Sequence, residues 1–154
     1  MKRDVDRCYL AIVVLLMLVL PLASLLIETR EPGLALVGKW WTFWAIGVRL
    51  FTAGLRQVAK PAFTAEVIFH ATSADSHVVV RELGIANLCI GALGIASLWL
   101  PGWRPAAAFI GLLFFGAAGV LHAIKRPAGG NEWVAMLSDL WVAAIAAIYL
   151  ASLV

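Results

Sequence analysis

Long apolar runs alternate with short polar connections along this chain. After the charged head MKRDVDR, Cys8–Ile27 is apolar. At 1.5 Å of rise per helical residue it extends ~30 Å, one hydrocarbon thickness. Glu28–Pro32 is a polar turn, and Leu34–Val58 is apolar again apart from Lys39 and Arg49. Arg56–Glu82 is the longest polar connection and is broken by Pro61. Leu83–Leu100 and Ala106–Ile124 are separated by PGWRP, whose Pro101, Gly102 and Pro105 break helix, so the two runs form an antiparallel hairpin. KRPAGGNE then leads into Trp133–Val154. The pattern predicts an all-α, polytopic transmembrane bundle of five spans, about residues 8–27, 34–58, 83–100, 106–124 and 133–154, in a single membrane domain over 1–154. The alternative is four spans with 34–58 lying in the interface as an amphipathic helix, its Trp40, Trp41 and Trp44 clustered beside Lys39 as in an aromatic belt.

Small residues recur at helical spacing. Gly84, Asn87, Gly91 and Gly94 fall on one face of the third run, a pattern suited to close helix contact in a membrane. Gly111 and Ala118 continue the theme on the fourth run, on a face shared with Ala108, Phe115 and His122. The last run carries Ala135, Asp139, Ala143 and Ala146 on one face. The first run exceeds the roughly 7–15 apolar residues of a signal-peptide core, so it is expected to be a retained helix, with Pro21 as a kink.

Composition sharpens the class. Hydrophobic residues make up 63% of the chain and charged residues 14%, with mean hydropathy +0.95. Soluble domains average about 45–50% and about 25%. A pI near 9.2 and a net charge of +3 in such a chain point to basic loops held on one side of a membrane rather than to nucleic acid. With five spans and a cytoplasmic N-terminus, the inner loops hold Lys2, Arg3, Arg7, Arg56, Lys60, Arg81, Lys125 and Arg126, and the outer loops only Arg30 and Arg104. That asymmetry favours five spans, N-terminus in and C-terminus out. Lys39 and Arg49 fall within a span and are set aside.

Depth then groups the polar residues. Glu82 and Glu132 begin spans at the inner side, and His122 ends one there. Asn87 lies ~7.5 Å in, Asp139 ~10 Å beyond Glu132, and Arg49 ~12 Å from the inner end of its run. A charge at such depth costs at least about 2.5–3.5 kcal/mol unless paired, so Arg49 and Asp139 are natural partners. Such a pair could simply pin two helices together. The sharper expectation is that Arg49, Glu82, Asn87, His122, Glu132 and Asp139 gather at an inner-leaflet vestibule that binds a polar head group or relays protons.

Other chemistry is thinly represented. Glu66 and His70 are weak metal candidates, because a di-iron bundle would use Glu-x-x-His on two helices and this spacing is one residue longer and occurs once. No metal site and no cofactor are expected. Cys8 and Cys89 lack a CxxC partner and read as small apolar side chains. His77 reads as a surface residue. A nucleophile triad, a Walker loop, a dinucleotide fingerprint and internal repeats are all missing from the sequence. The seven tryptophans lie mostly near span ends and read as interface anchors.

The run Arg81–Ile124 resembles the central hairpin of small bacterial DoxX-like four-helix membrane proteins: a charged residue before LG, a glycine-alanine span with GALGI, the PGWRP turn and a second span ending GAAGVLHAI. RELGIANL also resembles a still uncharacterised family of small bacterial integral membrane proteins, over about Gly54 to the C-terminus, with Cys8–Ile27 as an addition. The resemblance implies a helical bundle in a bacterial inner membrane. Some DoxX-like proteins are associated with quinone-linked sulfur oxidation or oxidative-stress complexes, but no residue here carries that chemistry across. The expected role is a non-catalytic accessory or a ligand- or lipid-binding bundle. The alternatives are a redox subunit or enzyme acting on a quinone-like substrate, and an oligomeric transporter or channel. Expected partners are the lipid bilayer and a second copy or a membrane partner protein.

Overall fold

The structure, a computed structural model, describes residues 5–28, 33–68, 71 and 73–154. Among these residues it is all helical. We number five long helices: α1 (Arg7–Ile27), α2 (33–59), α3 (Ala74–Ala96), α4 (Arg104–Lys125) and α5 (Gly130–Ala151). A short π-helical segment, Phe63–Ile68, lies between α2 and α3, and a 3-10 turn, Pro101–Trp103, joins α3 to α4.

Four of these helices, α1, α3, α4 and α5, are long and apolar enough to cross a membrane. Their outward faces are built from large apolar side chains such as Val79, Leu113, Leu137 and Ile148, each more than half exposed. Apolar area on that scale suits contact with lipid or with a partner protein.

Helix α1 opens under an Asp6 cap, whose carboxylate accepts from the Cys8 and Tyr9 N–H groups. The helix continues through Pro21 to its end. Proline lacks the N–H that would bond four residues back, and a π turn over Leu15–Val19 lies immediately upstream, where the ladder must adjust. Helix α3 differs from the sequence expectation at both ends. It begins near Ser73, well before Leu83, and gives way to a turn after Ala96. Helix α4 begins with Pro105 in its first turn, where a missing N–H costs nothing.

Helix α2 does not meet the same measure of length and apolarity, yet it runs through the middle of the bundle. It consists of Gly33–Trp41, a π segment Thr42–Val48 and Arg49–Ala59 end to end. Ala45, Ile46 and Leu50 are buried in a core shared with Val13 of α1, Phe115 of α4 and Val142 of α5. Its contact with α3 is a glycine seam. A Cβ on Gly54 would meet the Gly84 carbonyl at 2.6 Å, and one on Gly94 would meet the Gly47 Cα at 2.6 Å. Gly91 sits against the Phe51 backbone and the Gly47 carbonyl. Backbones can approach this closely only where side chains stop at hydrogen, which is the reason for the glycine face of α3. Gly111 of α4 fits over Ile46, and Gly38 of α2 fits under the Tyr149 ring of α5.

Candidate functional site

The ends of the five helices that carry Arg7, Arg56, Lys60, Arg81, Lys125 and Arg126 lie together, and the start of α1 is tied to the start of α5 by the Asp6 N–H donating to Asn131 Oδ1 at 2.8 Å. Between the helices at this basic end lies a cavity of ≈ 580 Å³. Its walls are mainly apolar, from Ile12, Val13 and Leu16 of α1, Leu83 of α3, and Phe114, Phe115 and Leu121 of α4. Polar groups reach it from every helix: Tyr9, Arg49, Gln57, Asn87, His122 and Asp139.

Arg49 is the hub. Immediately after the π segment of α2, its Nη2 donates to Asp139 Oδ1 at 2.8 Å and to Ser138 Oγ at 2.9 Å. Nη1 points to Met17 Sδ at 3.6 Å, and the guanidinium lies 4.7 Å from the Phe115 ring centroid, a cation–π distance. The Ser138 hydroxyl donates to the Ala135 carbonyl at 2.8 Å, so its oxygen is free to accept from Arg49. Asp139 is 6% exposed. Asp139 is buried and Arg49 largely so, and the two are hydrogen-bonded and mutually neutralising, which is the condition for tolerating charges inside a membrane. Tyr9 and His122 lie within electrostatic reach of this pair.

Asn87 sits in the glycine seam and is 3% exposed. Its Nδ2 donates to Gln57 Oε1 at 2.7 Å, bridging α3 to α2. Its Oδ1 is buried without a hydrogen-bond partner. At the end of α2, Arg56 lies over the Phe63 ring at 3.5 Å, and both residues line the cavity.

Of the residues singled out from the sequence, Arg49, Asn87, His122 and Asp139 come together at this cavity, and Glu82 and Glu132 do not. Glu82 is one position from Leu83, about 100° around the helix from the face that Leu83 and Asn87 present to the cavity, and it is exposed. Glu132 accepts the Ala128 N–H at 2.6 Å and closes the turn into α5. Gly84, Gly91, Gly94 and Gly111 pack helix on helix, whereas Ala118 lines the cavity. Glu66 is exposed and faces His77, with 3.5 Å between Oε1 and Nε2. His70 lies outside the described residues. Among the described residues, no group of three His, Cys, Asp or Glu comes together to hold a metal. Cys8 and Cys89 are exposed and unpaired with each other.

Sequence reasoning missed Tyr9, Gln57, Ser138 and Met17. Tyr9 and Gln57 carried a usable signal, being polar-tipped side chains at the inner ends of their apolar runs. Ser138 and Met17 carried none, because their part depends on where the two π segments turn the helix faces.

The sequence pattern of a family of unknown function, DUF6790, matches residues 7–153, and the chain belongs to that family. The match extends over α1, so this helix is part of the family pattern and not an addition to it. No curated protein and no solved structure matches the chain.

Proposed function

We propose that this member of a family of unknown function binds a small lipid-soluble molecule in the cavity at the basic end of a five-span membrane bundle. The observation that carries the reading is the cavity itself. Its ≈ 580 Å³ falls within the roughly 300–1,000 Å³ of small-molecule sites, with mostly apolar walls and a few convergent polar groups. Arg49 and Asp139 in its wall are engaged with each other and Arg56 lies over the Phe63 ring, and the reading is of a binding role.

The burial of α2 supports a fifth crossing. A helix whose Ala45 and Ile46 are 0% and 1% exposed within four apolar helices shares their environment, and its two awkward cations are matched, Lys39 by Glu28 and Arg49 by Asp139. The low apolarity of α2 fits the burial of its middle turns, where Thr42, Ala45, Ile46 and Leu50 face protein. The basic loops at the cavity end favour a cytoplasmic N-terminus in a bacterial inner membrane.

Two experiments test this. Leu34→Cys and Lys60→Cys, in a chain with Cys8 and Cys89 changed to Ser, are labelled by a membrane-impermeant thiol reagent from opposite faces. Labelling from the same face would leave α2 in the interface and refute the fifth span. For binding, native mass spectrometry of the purified protein detects a bound lipid-soluble mass in the wild type. Ala118→Phe, which fills the cavity, loses it.

A further inference from the structure

We infer that the cavity takes an anionic amphiphile, a carboxylate or phosphate head on an apolar tail, and that Arg56 at its mouth holds the head. The inference rests on the binding role just proposed and specifies what is bound.

Charge in the wall is the first observation. Among the described residues, the lining holds one carboxylate, Asp139, and two guanidinium groups, Arg49 and Arg56. Arg49 and Asp139 satisfy each other at 2.8 Å. Arg56 is left over. Among the described residues no acid pairs with it, and its guanidinium carbon lies 3.5 Å from the Phe63 ring centroid. A ring takes up one face of a guanidinium and leaves the N–H groups, which lie in its plane, for an acceptor. That fork matches a carboxylate or a phosphate with two parallel hydrogen bonds.

Position is the second. Arg49, Thr52, Ala53, Arg56 and Gln57 put one face of α2 on the cavity. Arg56 comes two turns, ~10.5 Å, after Arg49, close to the end of α2 at Ala59. Arg56 is exposed, whereas the Arg49 side chain is 13% exposed, so Arg56 stands at the mouth and Arg49 within. An anion at Arg56 keeps part of its water while its tail enters the apolar wall of Leu16, Phe114 and Phe115. A neutral head would gain nothing from the spare charge, and a cationic head would be repelled by it.

The test varies the head and keeps the tail. Purified full-length protein in dodecyl maltoside is assayed by scintillation proximity with tritiated palmitate and, separately, with tritiated 1-hexadecanol. Unlabelled palmitate, hexadecyl phosphate, 1-hexadecanol and hexadecyltrimethylammonium compete. The expected result is that the two anions compete about tenfold more strongly than the alcohol, the lower end of what a hydrogen bond to a charged group gives, with the ammonium weakest. Either anion as the strongest competitor supports the inference and tells carboxylate from phosphate. An alcohol or ammonium that competes as well as both anions overturns the anionic head and leaves the binding role standing. Saturable binding of neither probe removes the inference and the binding role together. Arg56→Gln brings the anions level with the alcohol, whereas Lys125→Gln, at the same end but outside the lining, keeps the preference. A preference unchanged in Arg56→Gln, or lost equally in Lys125→Gln, overturns the assignment to Arg56. If Arg56→Gln is not monodisperse by gel filtration, Arg56→Met, which keeps an apolar cover on Phe63, carries the same comparison.

Discussion

Two acid–base pairs among the described residues, Lys39 with Glu28 and Arg49 with Asp139, lie toward opposite ends of the bundle and are built for different work. At the end away from the basic loops, Lys39 of α2 donates to both oxygens of Glu28, at 2.6 and 2.8 Å, just beyond the last residue of α1. Trp44 donates to Ser24 at 3.0 Å nearby, and the Lys39 ammonium lies 5.2 Å from the Trp40 ring centroid. The Glu28 side chain is 23% exposed, at the rim of the bundle. This pair tethers the α1–α2 connection. At the basic end, the pair formed by Arg49 and Asp139 lies well inside the helices, with the Asp139 side chain 9% exposed and a cavity beside it. The same two charges therefore act as an anchor at the rim and, at depth, as one polar wall of a chamber. What differs is the space around them. Glycines close the gap between α2 and α3 along the seam, and between Gly84 and Gly91 the amide of Asn87 reaches Gln57 beside the cavity.

Breaking the two ends should separate these roles. The largest loss is expected from Asp139→Ala, which leaves Arg49 buried without its counter-charge, at about 3–5 kcal/mol. Thermal unfolding in detergent reads it, and Arg49→Met combined with Asp139→Ala should recover much of the loss. Next comes the seam. Gly94→Ala puts a methyl group within 2.6 Å of the Gly47 Cα and forces α2 and α3 apart, at about 1–3 kcal/mol in the same assay. Ala118→Phe should change stability little while abolishing ligand binding, because its side chain enters free space in the cavity. The smallest effect is expected at the rim, from Glu28→Gln. Lys39 holds the Glu28 carboxyl below its usual range by hydrogen bonding, so the pair's contribution is present above the unfolded-state carboxylate value and disappears as pH falls through the lower folded-state one. Melting curves of wild type and Glu28→Gln should therefore converge on acidification. A Glu28→Gln loss as large as that of Asp139→Ala would erase the contrast between the two ends.

The parts of this architecture that follow from periodicity were legible in the sequence. Gly84, Gly91 and Gly94 recur at helical spacing because one backbone must meet another, and spacing survives whatever the partner is. Arg49 and Asp139 could be matched by depth because a charge inside a membrane needs an opposite one. Rotation about the helix axis was not legible. Glu82 and Glu132 share the depth of the cavity, yet Glu82 lies about a quarter turn from the lining face and Glu132 is drawn into a backbone cap. The π segments over Leu15–Val19 and Thr42–Val48 shift the faces that bear Met17 and Arg49, and no residue pattern announces them. Nor does composition show that α2, the least apolar of the long helices, is the central one.

The central claim is that the cavity at the basic end is a binding site. Native mass spectrometry of the wild type beside Ala118→Phe tests it most directly. The account predicts a bound lipid-soluble mass, one per chain, on the wild type and its absence from an equally folded variant. A wild type without any such mass, or one retained unchanged when the cavity is filled, would contradict it.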